Sequence, residues 1–221
     1  MNKSENITAV IPIRKGSQRV KNKNLRVFNK KNLLIYKIQK LKKLKHINKI
    51  IVNTDSDEAI NIAKDLNVDF WKRDKYFASS ECSNSEFWSY IAETTKSDYI
   101  MFTNCTSPLV KIETYNKVLE KFNKIKDKND SLNTVTEEKN FLYLENKALN
   151  FNPKKTPNSQ NLPNIVKLNF AINILSTKLM YLKKSIIGNK PYFFRLDQVE
   201  GFDIDTPFDF EFAEYLHKKL F

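Results

Sequence analysis

A chain of 221 residues, 41% hydrophobic and 29% charged, is long enough for one substantial core and reads as one domain over residues 1–221. No stretch nears the ~18 consecutive apolar residues of a membrane span, and MNKSENITAVIPI lacks a signal-peptide pattern, so a cytoplasmic location is expected. The net charge of +13 raises nucleic-acid binding. However, many lysines (among them Lys37, Lys40, Lys42, Lys43, Lys45 and Lys49) fall on one predicted helix and its exit, without interleaved stacking aromatics. The charge reads as mostly compositional, with a local share in holding anionic phosphates, and no nucleic-acid partner is expected.

Along the chain, Ile7–Ile13 is an apolar run suited to a strand buried on both faces. Leu34, Ile38, Leu41 and Leu44 recur at helical spacing. KIIVNTD (49–55) predicts a second strand, and Ser56 a cap for a helix bearing Ala59, Ile62, Ala63 and Leu66. VDFW (68–71) is a short third strand and SEFWSYIAETT a helix. DYIMFTN (98–104) is a fourth strand, followed by a helix through Tyr115, Leu119 and Phe122. This alternation predicts an α/β fold with a mostly parallel sheet and helices on both faces, whose ligand lies at the carboxyl ends of the strands. Arg14–Asn24, Asp55, Asn104–Val110 and Asp203–Asp205 should then line one cleft.

Beyond residue 130 the pattern changes. SLNTVTEEKNFLYLENKALNF alternates and turns at ENK, which predicts hairpin strands, and NPKKTPNSQNLPN predicts an irregular excursion. NFAINILS returns to a strand, a short helix and PYFFRL follow, and Pro207–Leu220 closes with a helix whose apolar stripe is read as Phe208, Phe212, Leu216 and Leu220. Cys82 and Cys105 are too few for a disulfide scaffold or a zinc cluster and are expected as free, buried thiols. His46 and His217, each in a Lys-rich amphipathic stretch, are expected as solvated helix ends, which speaks against a Ser-His-Asp triad.

Three constellations carry chemistry. The loop RKGSQRVKNKN hangs Arg14, Lys15, Arg19, Lys21 and Lys23 on a strand end, with Ser17, Asn22 and Asn24 among them. Gly16 lets the backbone approach a ligand, and the cations suit a polyphosphate; a merely solvated basic loop is the alternative. It is neither a Walker loop nor G-x-G-x-x-G. In GFDIDTPFDF, Asp203 and Asp205 flank one apolar residue, so an extended backbone points both carboxylates to one side. Such a pair suits a hard divalent ion, magnesium, between carboxylates and phosphate oxygens. The competing reading is that Asp205 or Thr206 caps the last helix, with Pro207 in its first turn. TNCTSPLV places Asn104, Thr106 and Ser107 at the end of the fourth strand.

Taken in order, these motifs resemble the acylneuraminate cytidylyltransferases (CMP-sialic acid synthetases) and their relatives acting on other nonulosonic acids or Kdo. IPIRKGSQRVKNKN is similar to I-P-A-R-x-G-S-K-G-x-x-x-K-N at Ile11, Pro12, Arg14, Gly16, Ser17, Lys23 and Asn24. VNTD resembles V-x-S-T-D, KRDKYFASS keeps Arg73, Ala78 and Ser79 of R-R-P-x-x-L-A-x-D, NCTSPLV resembles Q-P-T-S-P-L-R, NFAINI resembles N-G-A-I-Y-I, and DIDTPFDF resembles D-I-D-T-x-x-D-F. The resemblance implies a Rossmann-like nucleotidyltransferase fold. It implies transfer of CMP from CTP to a 2-keto-3-deoxy acidic sugar (sialic acid or a related nonulosonic acid), with release of pyrophosphate, for surface glycans. Arg14, Lys23 and Asp205 would be catalytic. Arg14, Gly16, Ser17, Arg19, Lys23, Asn24, Arg73 and Ser79 would bind the nucleotide. Asn104, Thr106, Ser107, Gln160 and Asn169 would face the sugar, and Asp203 with Asp205 would hold Mg2+. Residues about 140–168 would form a dimerisation arm, making the protein a homodimer.

The chain departs from that pattern where S-K-G is Ser17-Gln18-Arg19, where the closing arginine is Val110, where the glycine of N-G-A-I is Phe170, and where glutamine is Asn104. A nucleotidyltransferase for another sugar or sugar phosphate, and a scaffold that has lost catalysis, are the other readings.

Overall fold

The computed structural model describes residues 5–17 and 19–221. The chain opens with β1 (Ile7–Ile13), the short pair β2 (Val27–Phe28) and β3 (Lys31–Asn32), and α1 (Leu33–Leu41). Then come β4 (Lys49–Thr54), α2 (Asp57–Asp65), β5 (Asp69–Lys72), α3 (Lys75–Ala78), α4 (Asn84–Thr94), β6 (Tyr99–Phe102) and α5 (Ile112–Ile125). The second half holds β7 (Ser131–Glu138), the small hairpin β8 (Tyr143–Leu144) and β9 (Lys147–Ala148), β10 (Ile165–Ser176), α6 (Thr177–Lys183), β11 (Pro191–Leu196) and α7 (Pro207–Leu220).

Seven strands form one sheet in the order β11-β7-β10-β6-β1-β4-β5. β10 runs antiparallel to both of its neighbours, and the other pairings are parallel. Period-two alternation divides the strands between two cores. Ile7, Ala9, Ile11 and Ile13 of β1 join residues of α1, α2, α5 and α7, whereas Val10 faces the other way, with Tyr90 and Ile91 of α4 and Met180 of α6. The sheet is covered on both faces, as the alternation predicts.

Five details differ from expectation. β7 enters the main sheet rather than a hairpin, and the only hairpin of that stretch among the described residues is β8–β9. Residues 165–168, predicted as excursion, pair with β7 from Glu138 to Val135, so the excursion proper is residues 139–164. On α7 the buried residues are Phe210, Ala213 and His217, whereas Phe208 and Leu220 are exposed. His217 is accordingly no solvated end. Its ring lies 5.2 Å from that of Phe28 and 4.5 Å from that of Tyr36, and burial together with the nearby Lys40 lowers its pKa to about 4. Cys105 is buried as expected, but Cys82 is only half-buried.

Candidate active site

The site lies at the carboxyl ends of β1, β4 and β6. After β1 the chain turns into the basic loop, where the Lys15 backbone N–H donates to Asp55 Oδ1 at 2.7 Å. Gly16 takes φ +74°, a conformation a side chain would strain. Val20, 2% exposed, pins the middle of the loop into the core. The loop closes where the Leu25 and Arg26 N–H groups donate to Asn22 O (2.9 and 2.7 Å). Its polar side chains are thereby hung around a cavity of about 510 Å³, which Arg14, Ser17, Arg19, Lys23 and Asn24 line from one side. Gln18 lies outside the described residues.

Opposite stands the DIDT segment. Ile204 is fully buried, its N–H donates to Thr106 O at 2.9 Å, and its carbonyl accepts from Lys23 Nζ. Anchored there, the segment turns Asp203 and Asp205 into the same cavity. Helix capping does not consume them. Thr206 is the N-cap of α7, receiving the Asp209 N–H at 3.2 Å, and Asp209 Oδ2 accepts from the N–H groups of Asp205 (3.0 Å) and Thr206 (2.7 Å).

The charges are coupled. Arg19 pairs with Asp205 Oδ1 at 2.8 Å, and Lys23 Nζ lies 3.8 Å from the same oxygen. Burial lowers the Lys23 pKa, against the attraction of Asp203 and Asp205. Burial also lifts Asp203 to about 6, with a Thr106 hydrogen bond opposing it and the Asp205 charge adding to it. Asp203 Oδ1 is buried and has no hydrogen-bond partner among the described residues. A hard cation is what such an oxygen lacks. The two carboxylates fit a magnesium ion, which Asp203 and Asp205 would hold.

A third wall combines the TNCTSP loop with an aromatic face. Asn104 and Thr106 line the cavity, as do Arg73 and Ser79, together with Phe77, Phe87, Trp88 and Phe170. Arg73 is buried and already committed: Nε donates to Asn53 Oδ1 (2.6 Å), one Nη to Asn53 O (2.7 Å), and its guanidinium lies 4.3 Å from the Phe87 ring centroid. Burial lowers its pKa to about 10.

Not every residue implied for the sugar reaches this cavity. Ser107 is fully buried, and its carbonyl accepts from Lys37 Nζ at 3.4 Å. Gln160 is exposed on a 3-10 turn of the excursion and is not part of the cavity wall. Asn169 lines a second cavity, of about 560 Å³, which shares Phe170, Asp203 and Asp205 with the first. Val110 is buried in the core.

The aromatic face and Lys37 escape sequence reasoning. Lys37 is buried, with Nζ 2.6 Å from Tyr115 Oη and 3.2 Å from Thr103 Oγ1. It braces the loop from beneath, and burial lowers its pKa to about 8. The only sequence signal for it is a lysine on the apolar side of α1, one residue before Ile38.

The arrangement, a cationic loop facing paired carboxylates across a cleft, suits a nucleotide triphosphate. A family model described as Cytidylyltransferase matches residues 8–221. The chain is 25% identical over 226 residues to the post-translational flagellin modification protein B of Campylobacter coli, covering 96% of this chain and 95% of that protein. It is 25% identical over 229 residues to the CMP-N,N'-diacetyllegionaminic acid synthase of Campylobacter jejuni, covering 95% and 94%. A segment of 96 residues is 35% identical to the N-acylneuraminate cytidylyltransferase of Escherichia coli, covering 43% of this chain and 23% of that one. In fold it resembles a CMP:2-keto-3-deoxy-manno-octonic acid synthetase complexed with CTP, with a TM-score of 0.70, 13% identity, and 98% and 100% of the two chains covered. The chain belongs to the cytidylyltransferase family.

Proposed function

We propose that this chain transfers CMP from CTP to a 2-keto-3-deoxy acidic sugar, a nonulosonic acid, and releases pyrophosphate. The observation that carries the reading is the meeting of Arg14, Arg19 and Lys23 with Asp203 and Asp205 around one cavity. Names of relatives support the substrate class, since one makes a CMP-legionaminic acid derivative and another is an N-acylneuraminate cytidylyltransferase.

Arg14 and Arg19 hold the phosphates, Gly16 and Ser17 let the loop backbone and a hydroxyl approach them, and Lys23 bridges toward the carboxylates. Asn24 Oδ1 is buried without a partner among the described residues. An unpaired acceptor there favours the exocyclic amine of cytosine over the carbonyl oxygen of uracil at the same position. Asp203 and Asp205 would hold Mg2+, which supplies charge neutralisation at the α-phosphate and the leaving group.

The anomeric hydroxyl oxygen attacks the α-phosphorus and the bond to the bridging oxygen breaks. Pyrophosphate takes the electron pair, and the hydroxyl proton passes to solvent. Catalysis is then mostly positioning and charge neutralisation.

The excursion exposes Phe141, Tyr143, Leu144 and Leu149 (40–64%), a face suited to a second copy of this chain in a homodimer. No helix of the described residues is long and apolar enough to cross a membrane, and we infer a cytoplasmic enzyme.

The test is pyrophosphate release with magnesium and a panel of nonulosonic acids, Kdo and a sugar 1-phosphate, with CTP, UTP and ATP compared. Turnover with CTP and at least one acid is expected. Turnover with UTP or ATP alone, or only with a sugar 1-phosphate, contradicts the reading.

A further inference from the structure

Lys37 stands apart from the other lysines of α1. It is 3% exposed and makes no ion pair among the described residues. Burial lowers its pKa to about 8, against Cys105 and Asp203, so at neutral pH it is still largely a cation. A buried charge with no carboxylate beside it costs folding free energy that an apolar residue of similar volume would not. Leu33, Leu34, Ile38 and Leu41 already anchor α1 in the core without it.

The charge is spent on the loop that follows β6. Lys37 Nζ donates to Thr103 Oγ1 at 3.2 Å, to Ser107 O at 3.4 Å and to Tyr115 Oη at 2.6 Å, and Tyr115 is itself fully buried on α5. Thr103 Oγ1 in turn donates to Ala171 O at 2.7 Å, which ties the start of the loop to β10. Three residues along α1, Lys40 Nζ donates to Pro108 O at 2.9 Å and to Val110 O. Residue 110, an arginine in the T-S-P-L-R pattern, is here a buried valine, so the cations beneath this loop come from α1 instead. Ser107 gives the loop little hold of its own, because its buried Oγ has no partner among the described residues.

The same loop carries the supports of the carboxylates. Thr106 O accepts the Ile204 N–H at 2.9 Å, midway between Asp203 and Asp205, and the Thr106 side chain hydrogen-bonds the Asp203 carboxylate. Thr106 and Ser107 are consecutive. A displacement of the carbonyl that Lys37 holds is therefore passed directly to the residue that holds Asp203 and Ile204.

We propose that Lys37 is a positioning residue for cytidylyl transfer, fixing the TNCTSP loop from beneath so that Thr106 keeps Asp203 and Ile204 where the paired carboxylates would hold magnesium. This rests on the cytidylyl-transfer reading and extends it to a residue that touches neither substrate nor metal. Groups that orient metal ligands from outside are worth roughly 10–100-fold in metal affinity or activity.

Lys37→Met removes the charge and keeps most of the volume. CTP affinity is measured by calorimetry with and without magnesium, folding by thermal denaturation, and turnover as pyrophosphate release with the best acid of the panel. Magnesium should tighten CTP binding by the wild-type chain. In Lys37→Met that gain is expected to shrink about tenfold, and kcat to fall about as much. Metal-free CTP affinity should stay within about twofold, because the basic loop is tied to Asp55 and not to Lys37. The melting temperature should not fall. A merely structural role predicts the reverse: a lower melting temperature, with CTP affinity weakened alike in the presence and absence of the metal.

Thr106→Val cuts the same path one step further on. The double variant should therefore lose no more than the worse of the two single variants. A magnesium gain and kcat in Lys37→Met that stay within about twofold of wild type overturn this inference alone. So does a Lys37→Met chain that melts well below wild type, or a double variant whose losses add. Wild-type CTP affinity that magnesium leaves unchanged overturns it together with the metal assignment. No turnover by wild type with CTP and any acid overturns the cytidylyl-transfer reading, and this inference with it.

Discussion

Asp203 shows how the site is held ready. Its Oδ1 is buried beside a second carboxylate, and burial has already lifted its pKa to about 6. Asp205 is more open and is held by Arg19 at 2.8 Å. Removing one of them takes away half of the carboxylate pair that would hold the magnesium ion, without touching the core. Asp205→Ala is therefore expected to lower kcat on the order of 10²–10³-fold, the loss seen when one stabilising group aimed at developing charge is deleted. Circular dichroism should show an unchanged fold, and pyrophosphate release near wild-type rate would remove Asp205 from the mechanism. At this scale the short motifs were legible. Arg14, Lys23, Asp203 and Asp205 announce themselves because charge crowded into a few residues has no use in a core. Lys37, Phe87 and Trp88 were not, since each reaches the site or its foundations through packing between segments far apart in sequence. Ser107 was misplaced for the converse reason, a polar residue in a site motif whose side chain points inward.

The elements were legible to the extent that their patterns were unambiguous. β1, β4 and β6 are apolar runs too short for helices, and Ser56 caps α2 by accepting the Ala59 N–H at 3.3 Å, as its position before the periodic residues implies. α7 was readable as a helix but not in phase. Phe208, Phe210, Phe212, Tyr215 and Leu216 put aromatic or aliphatic groups on nearly every side, so periodicity alone could not choose the buried face. The choice is made by Phe28 and Tyr36, which draw in Phe210 and His217. This has a measurable consequence. With a folded-state pKa lowered to about 4 from 6.5, His217 is neutral in the native protein through a window where the unfolded chain binds a proton. Its contribution is complete above about pH 6.5 and is lost as pH falls toward 4. Relative to His217→Leu, the wild-type chain should lose on the order of 1–2 kcal/mol more stability between pH 7 and pH 5. Urea denaturation at the two pH values measures it, and parallel losses in both proteins would contradict the assignment.

For the whole molecule, one sheet positions the charged and polar loops of the site, and α3 and α4 add its aromatic wall. β1 delivers the basic loop, β6 the TNCTSP loop, β10 Asn169 and Phe170, and the turn before α7 the two carboxylates. The excursion of residues 139–164 stands outside that sheet and leaves Tyr143 (55%) and Leu144 (64%) exposed. If the proposed homodimer forms through this face, placing Lys at both positions gives a monomer in sedimentation, with the melting of the sheet domain largely retained. A wild-type chain that sediments as a monomer, or an unchanged mass in the variant, would contradict the proposed interface. The central claim concerns a bond made at the α-phosphorus of CTP, and following that atom tests it most directly. Incubated with magnesium, a nonulosonic acid and CTP labelled at the α-phosphorus, the protein should place the label in a product with the mass of the CMP-sugar, and unlabelled pyrophosphate should appear in equal amount. Label that remains in CTP across the whole panel of acids, or that leaves as free CMP with no sugar attached, would contradict it.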